Sequence, residues 1–303
     1  MKHFSSNILM ISPDKFRSNE VTLDDNVFQS NELNNNNNNI TKNALLEFEE
    51  LKNKIEKKGI NIYSFIDDSK YDTPDAVFPN NWISFHKKNN VIIHSMFANN
   101  RRFEKMSNTL LKLSDKGIDL NVIHDYSSYE KDNKFLEGTG SLVLDRKLKI
   151  AYCSLSMRSN EELFNKFCTD MNYRPLMFNA AYKSKPIYHT NVLMSICNNF
   201  SIICLESISD NNEKQNVIKS LENSNLDIID ITLDQMNLYL GNCIQLINSD
   251  LNPYLVMSTS AFRSIKKDQL SRIINYTDII HSDLKVIENN GGGSARCMIA
   301  EIF

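Results

Sequence analysis

Several features that would place a protein in a well-known class are scarce or absent in this sequence. Only 8 of its 303 residues are glycine, and no glycine-rich phosphate loop follows a predicted strand, which argues against a doubly wound nucleotide-binding sheet. No apolar run approaches the roughly 18 residues of a membrane-spanning helix. The first residues, MKHFSSNILMISPDKF, lack the apolar core of a signal peptide. We therefore expect neither a membrane span nor a secretory leader.

Charge and cysteine usage exclude further classes. The formal net charge of −3 argues against nucleic acid or an anionic membrane as a partner. The six histidines show no paired metal-ligand spacing, so no metal site is predicted. The six cysteines form no CxxC pair, which favours a reducing, cytoplasmic location. Five of them lie in apolar sequence typical of core residues, namely Cys153, Cys168, Cys197, Cys204 and Cys243.

Residues 30–43, SNELNNNNNNITKN, are low in complexity. Polar tracts of this kind bury too little apolar surface to offset the entropy that is lost on ordering. We predict a mobile surface loop over about 30–43 that takes no part in the chemistry.

Five segments of the sequence repeat one plan, in which a pair of short apolar strands is followed by an amphipathic helix and a further strand. Four of the strand pairs, each with turn residues at its centre, are WISFHKKNNVIIHSM, GSLVLDRKLKIAYCSL, NVLMSICNNFSIICLESI and CIQLINSDLNPYLVMST. Helices are predicted near 43–58, 102–116, 160–171, 211–223 and 267–276. The strands predicted after them are INIYSFI, IDLNVIH, RPLMFN, LDIIDIT and HSDLKVIE.

The fifth strand pair is split between distant parts of the sequence. CMIAEIF supplies one strand and NILMISP the other. Joining them in one sheet would close a ring of repeats and leave no exposed sheet edge. The repeats therefore predict a single α/β domain over 1–303, built as a closed ring of five units.

One position recurs just before the first strand of every repeat. It is occupied by Asn81, Glu137, His189, Asn242 and Cys297, which are 52 to 56 residues apart. Equivalent positions in a ring face one axis, so a thiol, an imidazole and a carboxylate would meet, as in covalent catalysis. A thiol needs such a neighbour to be a useful thiolate at neutral pH. Taken singly, each residue has an ordinary structural explanation, and we interpret Asn242 as structural.

An ordered set of short motifs runs along nearly the whole chain. The motifs are ILMISPDKFRSNE with DDNVFQ, PDAVFPNNWISFH, MFANNRRFE, FLEGTGSLVLDR, YCSLSMRSN, YHTNVLMSI, YLGNCIQL, LVMSTSAF and GGGSARCM. The set resembles the guanidino-group-modifying enzymes, which include arginine deiminases, dimethylarginine dimethylaminohydrolases and glycine amidinotransferases. It is most similar to the amidinotransferase-like, arginine-deiminase-related branch. The resemblance implies the five-bladed α/β propeller known as the pentein fold.

The resemblance also implies catalytic roles for individual residues. Cys297 matches the family nucleophile, which would attack the guanidinium carbon and form a covalent thiouronium. His189 matches the acid/base histidine, which protonates the departing amine and then activates water. Glu137 matches the carboxylate that holds the guanidinium nitrogens. The guanidinium carbon is a poor electrophile, so dividing the reaction into two steps through a thiol helps it.

Substrate-binding residues are implied in the same way. Asp75, in PDAVFPNN, matches a substrate-binding aspartate, and Arg158, in SMRSN, matches an arginine that takes the substrate's carboxylate. Arg101, or its neighbour Arg102, is expected to act likewise. Carboxylates hold a planar cation well, and arginine holds a carboxylate in bidentate geometry.

The sequence departs from the deiminase pattern at two positions. Asn81 and Asn191 stand where arginine deiminases usually carry aspartates, and an amide can accept a hydrogen bond but adds no charge. We keep both as substrate-contacting candidates, with the substrate left open. Asn19, in FRSNE, is a candidate for the pocket mouth. The glycines at 291–293 are expected to let backbone pass close to the ligand.

Three functions remain open at this point. We favour a hydrolase of arginine or an arginine derivative, similar to an arginine deiminase or a dimethylargininase. An amidinotransferase that passes the amidino group to an amine such as glycine shares the first half of the mechanism. A catalytically silent arginine-binding protein is disfavoured by intact Cys297, His189 and Glu137. None of these functions requires a cofactor, the expected partner is a small guanidino compound, and a homodimer is compatible with the fold.

Overall fold

The computed structural model describes residues 3–23, 26, 28–29 and 37–303. Within these residues the strands form five separate three-stranded sheets and one two-stranded hairpin. In each sheet, strands that are named next to each other are hydrogen-bonded. Sheet 1 contains Ala300–Ile302, Asn7–Ser12 and Asn61–Ile66; sheet 2 contains Ile83–His86, Asn90–Ile93 and Asn121–Asp125; and sheet 3 contains Val143–Asp145, Ile150–Ser154 and Arg174–Phe178. Sheet 4 contains Met194–Ile196, Phe200–Ile203 and Asp227–Asp230; sheet 5 contains Ile244–Ile247, Pro253–Ser258 and Asp278–Ser282; and the hairpin pairs Ala181–Tyr182 with Lys185–Pro186.

All five sheets share one topology. The middle strand pairs antiparallel with the first strand and parallel with the third. In sheet 1 the first strand comes from the end of the sequence, and Asn7 lies opposite Ile302. The predicted split strand pair is therefore confirmed. None of the described sheets closes into a barrel.

Helices connect the strands. The α-helices are Asn37–Glu56, Thr109–Asp115, Gly138–Ser141, Glu161–Met171, Thr190–Leu193, Asn211–Asn223, Leu233–Asn237, Thr259–Ser264, Lys267–Ile273 and Lys285–Gly291. The 3₁₀ helices are Glu20–Thr22, Pro79–Asn81, Asn100–Met106, Ser127–Asp132 and Leu205–Ser207. Helix Glu161–Met171 begins where the Asn160 side chain accepts from Leu163 N, as is typical of an N-cap. The helix predicted over 102–116 is instead split between a 3₁₀ and an α segment.

The asparagine-rich segment is not a loop throughout. Residues 30–36 lie outside the described residues, but an α-helix begins at Asn37 rather than near residue 43. Ile40 is buried and begins a buried apolar stripe, which consists of Ile40, Ala44, Phe48, Leu51 and Ile55. Burying one such side chain contributes about 1.5–3 kcal/mol, which offsets the cost of roughly 0.7 kcal/mol for each asparagine in a helix. The loop prediction is wrong for residues 37–43.

The strand predicted at HSDLKVIE is also wrong. The third strand of sheet 5 is Asp278–Ser282, which shares only two residues with the predicted segment, and half of that segment lies in helix Lys285–Gly291. Leu284 and Ile287 are both fully buried, and their separation of three residues suits one face of a helix. This helix leads into the glycines that precede Cys297.

Apolar clusters pack the sheets against their neighbours. One cluster joins sheets 1 and 2, a second joins sheets 2 and 3, a third spans sheets 3 to 5, and a fourth joins sheets 5 and 1. Buried members from neighbouring sheets are Leu9 and Phe85 in the first cluster, Ile92 and Cys153 in the second, Tyr152 and Phe200 in the third, and Met10 and Val256 in the fourth. None of the described helices is both long and apolar enough to cross a bilayer.

Candidate active site

A small cavity lies near the start of the first strands of the sheets. Its lining residues are Asn26, Asp75, Phe78, Asn81, Arg101, Arg158, Tyr188, His189, Gly291, Gly293 and Cys297. Six of the eight predicted site residues are among them. Glu137 and Asn191 lie just behind this lining and contact His189 and Cys297, respectively. The repeat register thus brings distant residues together, as expected from equivalent positions.

The backbone around Cys297 is held by a tight turn. Cys297 N donates to the Ser294 carbonyl at 2.9 Å, and Ser294 Oγ donates to Glu288 Oε1 at 2.6 Å. A Cβ at Gly293 would lie 3.0 Å from the Phe78 ring and 3.2 Å from Cys297 Cβ. Glycine at this position therefore lets the chain pass between the aromatic ring and the thiol.

Two amides contact the thiol of Cys297. Asn242 Nδ2 lies 3.2 Å from Cys297 Sγ, and Asn191 Nδ2 lies 3.5 Å from it. Both amides are buried. Each amide nitrogen can donate a hydrogen bond to the sulfur. Asn191 thus lies at the thiol rather than on the wall of the cavity.

His189 is held by Glu137. Its Nε2 lies 2.7 Å from Glu137 Oε2, and both side chains are buried. Burial lowers the pKa of His189 below its ordinary value of 6.5, although the hydrogen bond and the charge of Glu137 act in the opposite direction. A neutral imidazole at pH 7 is able to take a proton from a thiol or from water.

Glu137 remains ionised in spite of its burial. Burial alone would raise its pKa, but Arg158, the hydrogen bond to His189 and the more distant Arg101 lower the pKa of Glu137 to about 2. Arg158 Nη1 is 3.7 Å and Arg101 Nη1 is 4.0 Å from Oε2. The other oxygen, Oε1, accepts from Phe97 N at 2.9 Å. Both oxygens of Glu137 therefore already accept hydrogen bonds from the protein.

Asp75 has one carboxylate oxygen without a hydrogen-bond partner among the described residues. Asp75 Oδ2 accepts from Asn19 Nδ2 at 2.7 Å, whereas Oδ1 is buried and has no hydrogen-bond partner among the described residues. Burial raises the pKa of Asp75, and Arg101 opposes that effect. The unused oxygen can accept from a cationic group of a ligand. Asn19, expected near the pocket mouth, supports this carboxylate.

Arg101 lines the cavity but is engaged within the protein. Its Nε and Nη2 donate to the two oxygens of Glu104 at 2.7 and 3.1 Å, and Nη1 donates to Asn81 Oδ1 at 2.9 Å. Arg101 therefore supplies a fixed positive charge and orients Asn81. The neighbouring Arg102 donates to the Met96 and Phe97 carbonyls and is not part of the lining.

Arg158 and Tyr188 form another wall of the cavity. The guanidinium carbon of Arg158 lies 4.6 Å from the centroid of the Tyr188 ring, and the Tyr188 hydroxyl donates to the Gly292 carbonyl. Sequence reasoning missed Tyr188, Phe78 and Asn26 as lining residues. Tyr188 and Phe78 stand beside His189 and Asn81 within motifs that were recognised, so proximity in those motifs could have found them. Asn26 likewise lies within a recognised motif, DDNVFQ.

Comparisons with known proteins identify the family of this chain. The family model for eukaryotic N,N dimethylarginine dimethylhydrolases matches residues 12–303. The chain belongs to this family. It is thereby a member of the guanidino-group-modifying pentein superfamily, as the motifs implied. No curated protein sequence matches the chain significantly.

Solved structures similar to this dimethylhydrolase family member share its mixed α/β fold. One is the N-terminal domain of ArgZ, an arginine dihydrolase from the Ornithine-Ammonia Cycle in Cyanobacteria, as a cysteine-to-serine mutant bound to substrate; it is 13% identical, with 98% of this chain and 97% of that chain covered and a TM-score of 0.75. An asparagine-to-serine variant of the same domain is covalently bound to a reaction intermediate. A cysteine mutant of DDAH from Pseudomonas aeruginosa complexed with citrulline is 14% identical, with 99% and 100% covered and a TM-score of 0.66.

The fold also occurs within longer chains. A cysteine-to-alanine mutant of AgrE in complex with L-arginine is 14% identical and has a TM-score of 0.75. The similarity covers 98% of this chain but only 40% of that one.

Proposed function

We propose that the protein is a hydrolase of the guanidino group of arginine or an arginine derivative, acting through a covalent thiouronium on Cys297. The observation that carries this proposal is the shared cavity of Cys297 and His189, with amide donors on the sulfur and a carboxylate on the imidazole. The cysteine mutants of ArgZ and DDAH bound to substrate and to citrulline support a cysteine at the centre of the chemistry.

The first step forms the intermediate. His189 takes the proton of the Cys297 thiol, and the thiolate attacks the guanidinium carbon. Imidazolium then returns this proton to one terminal nitrogen, the C–N bond breaks, and ammonia leaves. The product of this step is a thiouronium cation with a new S–C bond, and Glu137 stabilises the transient charge on His189.

The second step releases the product. A water molecule gives a proton to His189 and attacks the thiouronium carbon. The hydroxyl proton of the resulting adduct is released to solvent, where ammonia takes it up as ammonium. The S–C bond then breaks, imidazolium returns its proton to the departing sulfur, and a ureido product such as citrulline leaves. The sum of the two steps consumes one water and produces one ammonia.

Two cavity groups suit an amino-acid substrate. The unused Asp75 oxygen would accept from a cationic group of the substrate, and Arg158 would bind the α-carboxylate. Arg101 already serves Glu104 and Asn81, so its proposed part is to supply positive charge and to orient Asn81. The main role proposed for Glu137 is to orient His189. Its negative charge would also attract the guanidinium.

We further propose that the five sheets form a single propeller domain. The apolar clusters link sheet 1 to 2, 2 to 3, 3 to 4 and 5, and 5 back to 1, as blades arranged around an axis would require. This arrangement would also explain why equivalent positions of the repeats supply the residues of the site.

A product assay tests the proposed reaction. The purified protein is incubated with L-arginine, with and without glycine, and products are identified by mass spectrometry against a Cys297→Ser blank. Citrulline and ammonia formed without glycine are the expected result. Ornithine and guanidinoacetate that appear only with glycine would show that the protein is an amidinotransferase and not a hydrolase. Absence of any product from arginine and from its methylated and decarboxylated derivatives would favour a silent binding protein.

One observation favours a second hydrolysis at the same site. Asn81 Oδ1 accepts from Arg101, while its Nδ2 is buried without a partner among the described residues. A guanidinium only donates hydrogen bonds, but the ureido oxygen of citrulline would accept one from this amide. Citrulline and water would then give ornithine, carbon dioxide and ammonia, in keeping with the description of ArgZ as a dihydrolase.

Citrulline supplied alone separates the two activities. Ornithine formed from citrulline, but not in the Cys297→Ser blank, is expected of a dihydrolase. Unchanged citrulline under conditions in which arginine is consumed would limit the protein to a single hydrolysis.

Replacing Arg158 by alanine should weaken the use of L-arginine more than the use of agmatine, which lacks the carboxylate. A lost charge-assisted hydrogen bond is worth about 1.5–3 kcal/mol, so we expect kcat/KM for arginine to fall roughly 10- to 100-fold further than for agmatine. Arg158 also lies near Glu137, and that effect is common to both substrates, so the ratio is the measurement. Arg174→Ala, on the third strand of sheet 3, serves as the control. Equal losses of kcat/KM for the two substrates would show that Arg158 does not bind the substrate's carboxylate.

A further inference from the structure

Asn242 contacts the sulfur of Cys297 from the start of sheet 5. Its Nδ2 lies 3.2 Å from Sγ, closer than the 3.5 Å of Asn191 Nδ2. The residue is fully buried, and it does not line the cavity. Asn242 therefore contacts the thiol from outside the lining of the cavity.

The orientation of the Asn242 amide is fixed by a second hydrogen bond. Nδ2 also donates to the Asn191 carbonyl at 2.9 Å. A backbone carbonyl can only accept, so the nitrogen and not the oxygen must face it. The same nitrogen has one remaining N–H, and that N–H faces Cys297. The sulfur is therefore the acceptor in this contact, whichever way the other amides are turned.

The oxygen of the Asn242 amide indicates that this arrangement lowers the stability of the fold. Asn242 Oδ1 is buried and has no hydrogen-bond partner among the described residues. An unsatisfied buried acceptor destabilises a fold, and native proteins contain few of them. Such a group is best explained when the donors on the same side chain serve a purpose, here the contact with the thiol.

We propose that Asn242 is a positioning residue that stabilises the Cys297 thiolate and fixes the direction of its attack. The inference rests on the proposed function, because it assumes that Cys297 is the nucleophile. A hydrogen bond to the charged form of a group favours that form, and a donor outside the lining of the cavity leaves the cavity side of sulfur open to the substrate. Asn242, which occupies the recurring position in the fourth repeat, thus acts on the nucleophile and not on the substrate.

The test measures the rate at which iodoacetamide alkylates Cys297 as a function of pH, by peptide mass spectrometry on the full chain. Burial raises the pKa of the other five cysteines, so they react slowly unless the protein unfolds. Asn242→Ala removes the donor, and Asn242→Asp keeps the shape but replaces the donor by an acceptor. We expect the midpoint of the alkylation profile to move up by about one pH unit in the first variant. In the second it should move at least as far.

Gln245→Ala is the matched control. Gln245 lies in the first strand of the same sheet and is equally buried, but its amide oxygen accepts from Asn198 N at 2.7 Å and the residue is not at the thiol. Its alkylation midpoint should equal that of the wild type. If Asn242→Ala unfolds, alkylation of the other cysteines will reveal it, and Asn242→Asp then decides.

The outcomes separate this inference from the proposed function. Unchanged midpoints in both folded Asn242 variants would overturn the positioning role while leaving hydrolysis by Cys297 intact. Raised midpoints, together with lower kcat and nearly unchanged KM, support it. Raised midpoints in a protein that turns over none of the guanidino substrates would support the thiolate contact and overturn the proposed substrate.

Discussion

Replacing Cys297 by serine should reduce turnover of the guanidino substrate by at least about four orders of magnitude, as loss of a nucleophile does in other covalent enzymes. A serine hydroxyl is a weak nucleophile without a strong base, and the guanidinium carbon is a poor electrophile. The amides of Asn242 and Asn191 are arranged around a sulfur. Serine leaves the fold unchanged, so circular dichroism and the melting temperature should match those of the wild type.

The same variant also tests the covalent intermediate. Wild-type protein quenched with acid during turnover should carry arginine less ammonia on the peptide that contains Cys297, and the serine variant should carry nothing. Cys204→Ser is the control, because Cys204 is a buried cysteine in another part of the fold, and we expect it to retain turnover. Full activity in Cys297→Ser would remove the nucleophile assignment. An adduct that contained only an amidino group would indicate transfer chemistry instead.

Replacing His189 by alanine should lower kcat by roughly 100- to 10,000-fold, the usual contribution of a general acid or base. His189 is proposed to act in both steps, so the variant should slow both the formation of the thiouronium and its hydrolysis. The replacement also leaves Glu137 as a buried carboxylate without its imidazole partner. Rapid quench experiments that follow the adduct and the free product separately would measure the two effects.

The pH profile provides the matched readout for His189. Because burial lowers its pKa, wild-type activity should fall only as the pH drops through a midpoint below 6.5, where the imidazole becomes protonated before the substrate binds. The alanine variant should lose this acid limb. His124→Ala, which replaces a partly exposed histidine stacked on Tyr126, should retain both the rate and the limb. A normal rate in His189→Ala would mean that another group is the base.

The repeats made much of the fold predictable from the sequence. Apolar segments with turn residues between them identified the first two strands of four sheets correctly, and the strand pair of the fifth sheet followed from the symmetry of the plan. The error at HSDLKVIE arose because a short apolar run does not distinguish a strand from one face of a helix. The error at Asn37 arose because burial of Ile40 outweighs the weak helix propensity of asparagine, and burial is not visible in composition.

The candidate site was predictable in its members but not in their contacts. The register identified Cys297, His189 and Glu137, since equivalent positions converge. It gave no sign that Glu104 would occupy Arg101, because that pairing depends on how a 3₁₀ turn folds back. Asn242 was interpreted as structural because the role of an amide depends on the atoms around it. For Asn242 these atoms belong to Asn191 and Cys297, which lie in other repeats.

The split sheet 1 has a consequence for the order in which the protein acquires its parts. The strand that follows Cys297 pairs with Asn7–Ser12, and Ser5 Oγ donates to the Ile302 carbonyl across 297 residues of sequence. Contacts between such distant residues form slowly, because a very long loop must close first. During synthesis, the histidine, the carboxylates and the arginines of the candidate site are all made before the thiol. The proposed nucleophile is therefore the last of these groups to leave the ribosome, immediately before the strand that completes sheet 1.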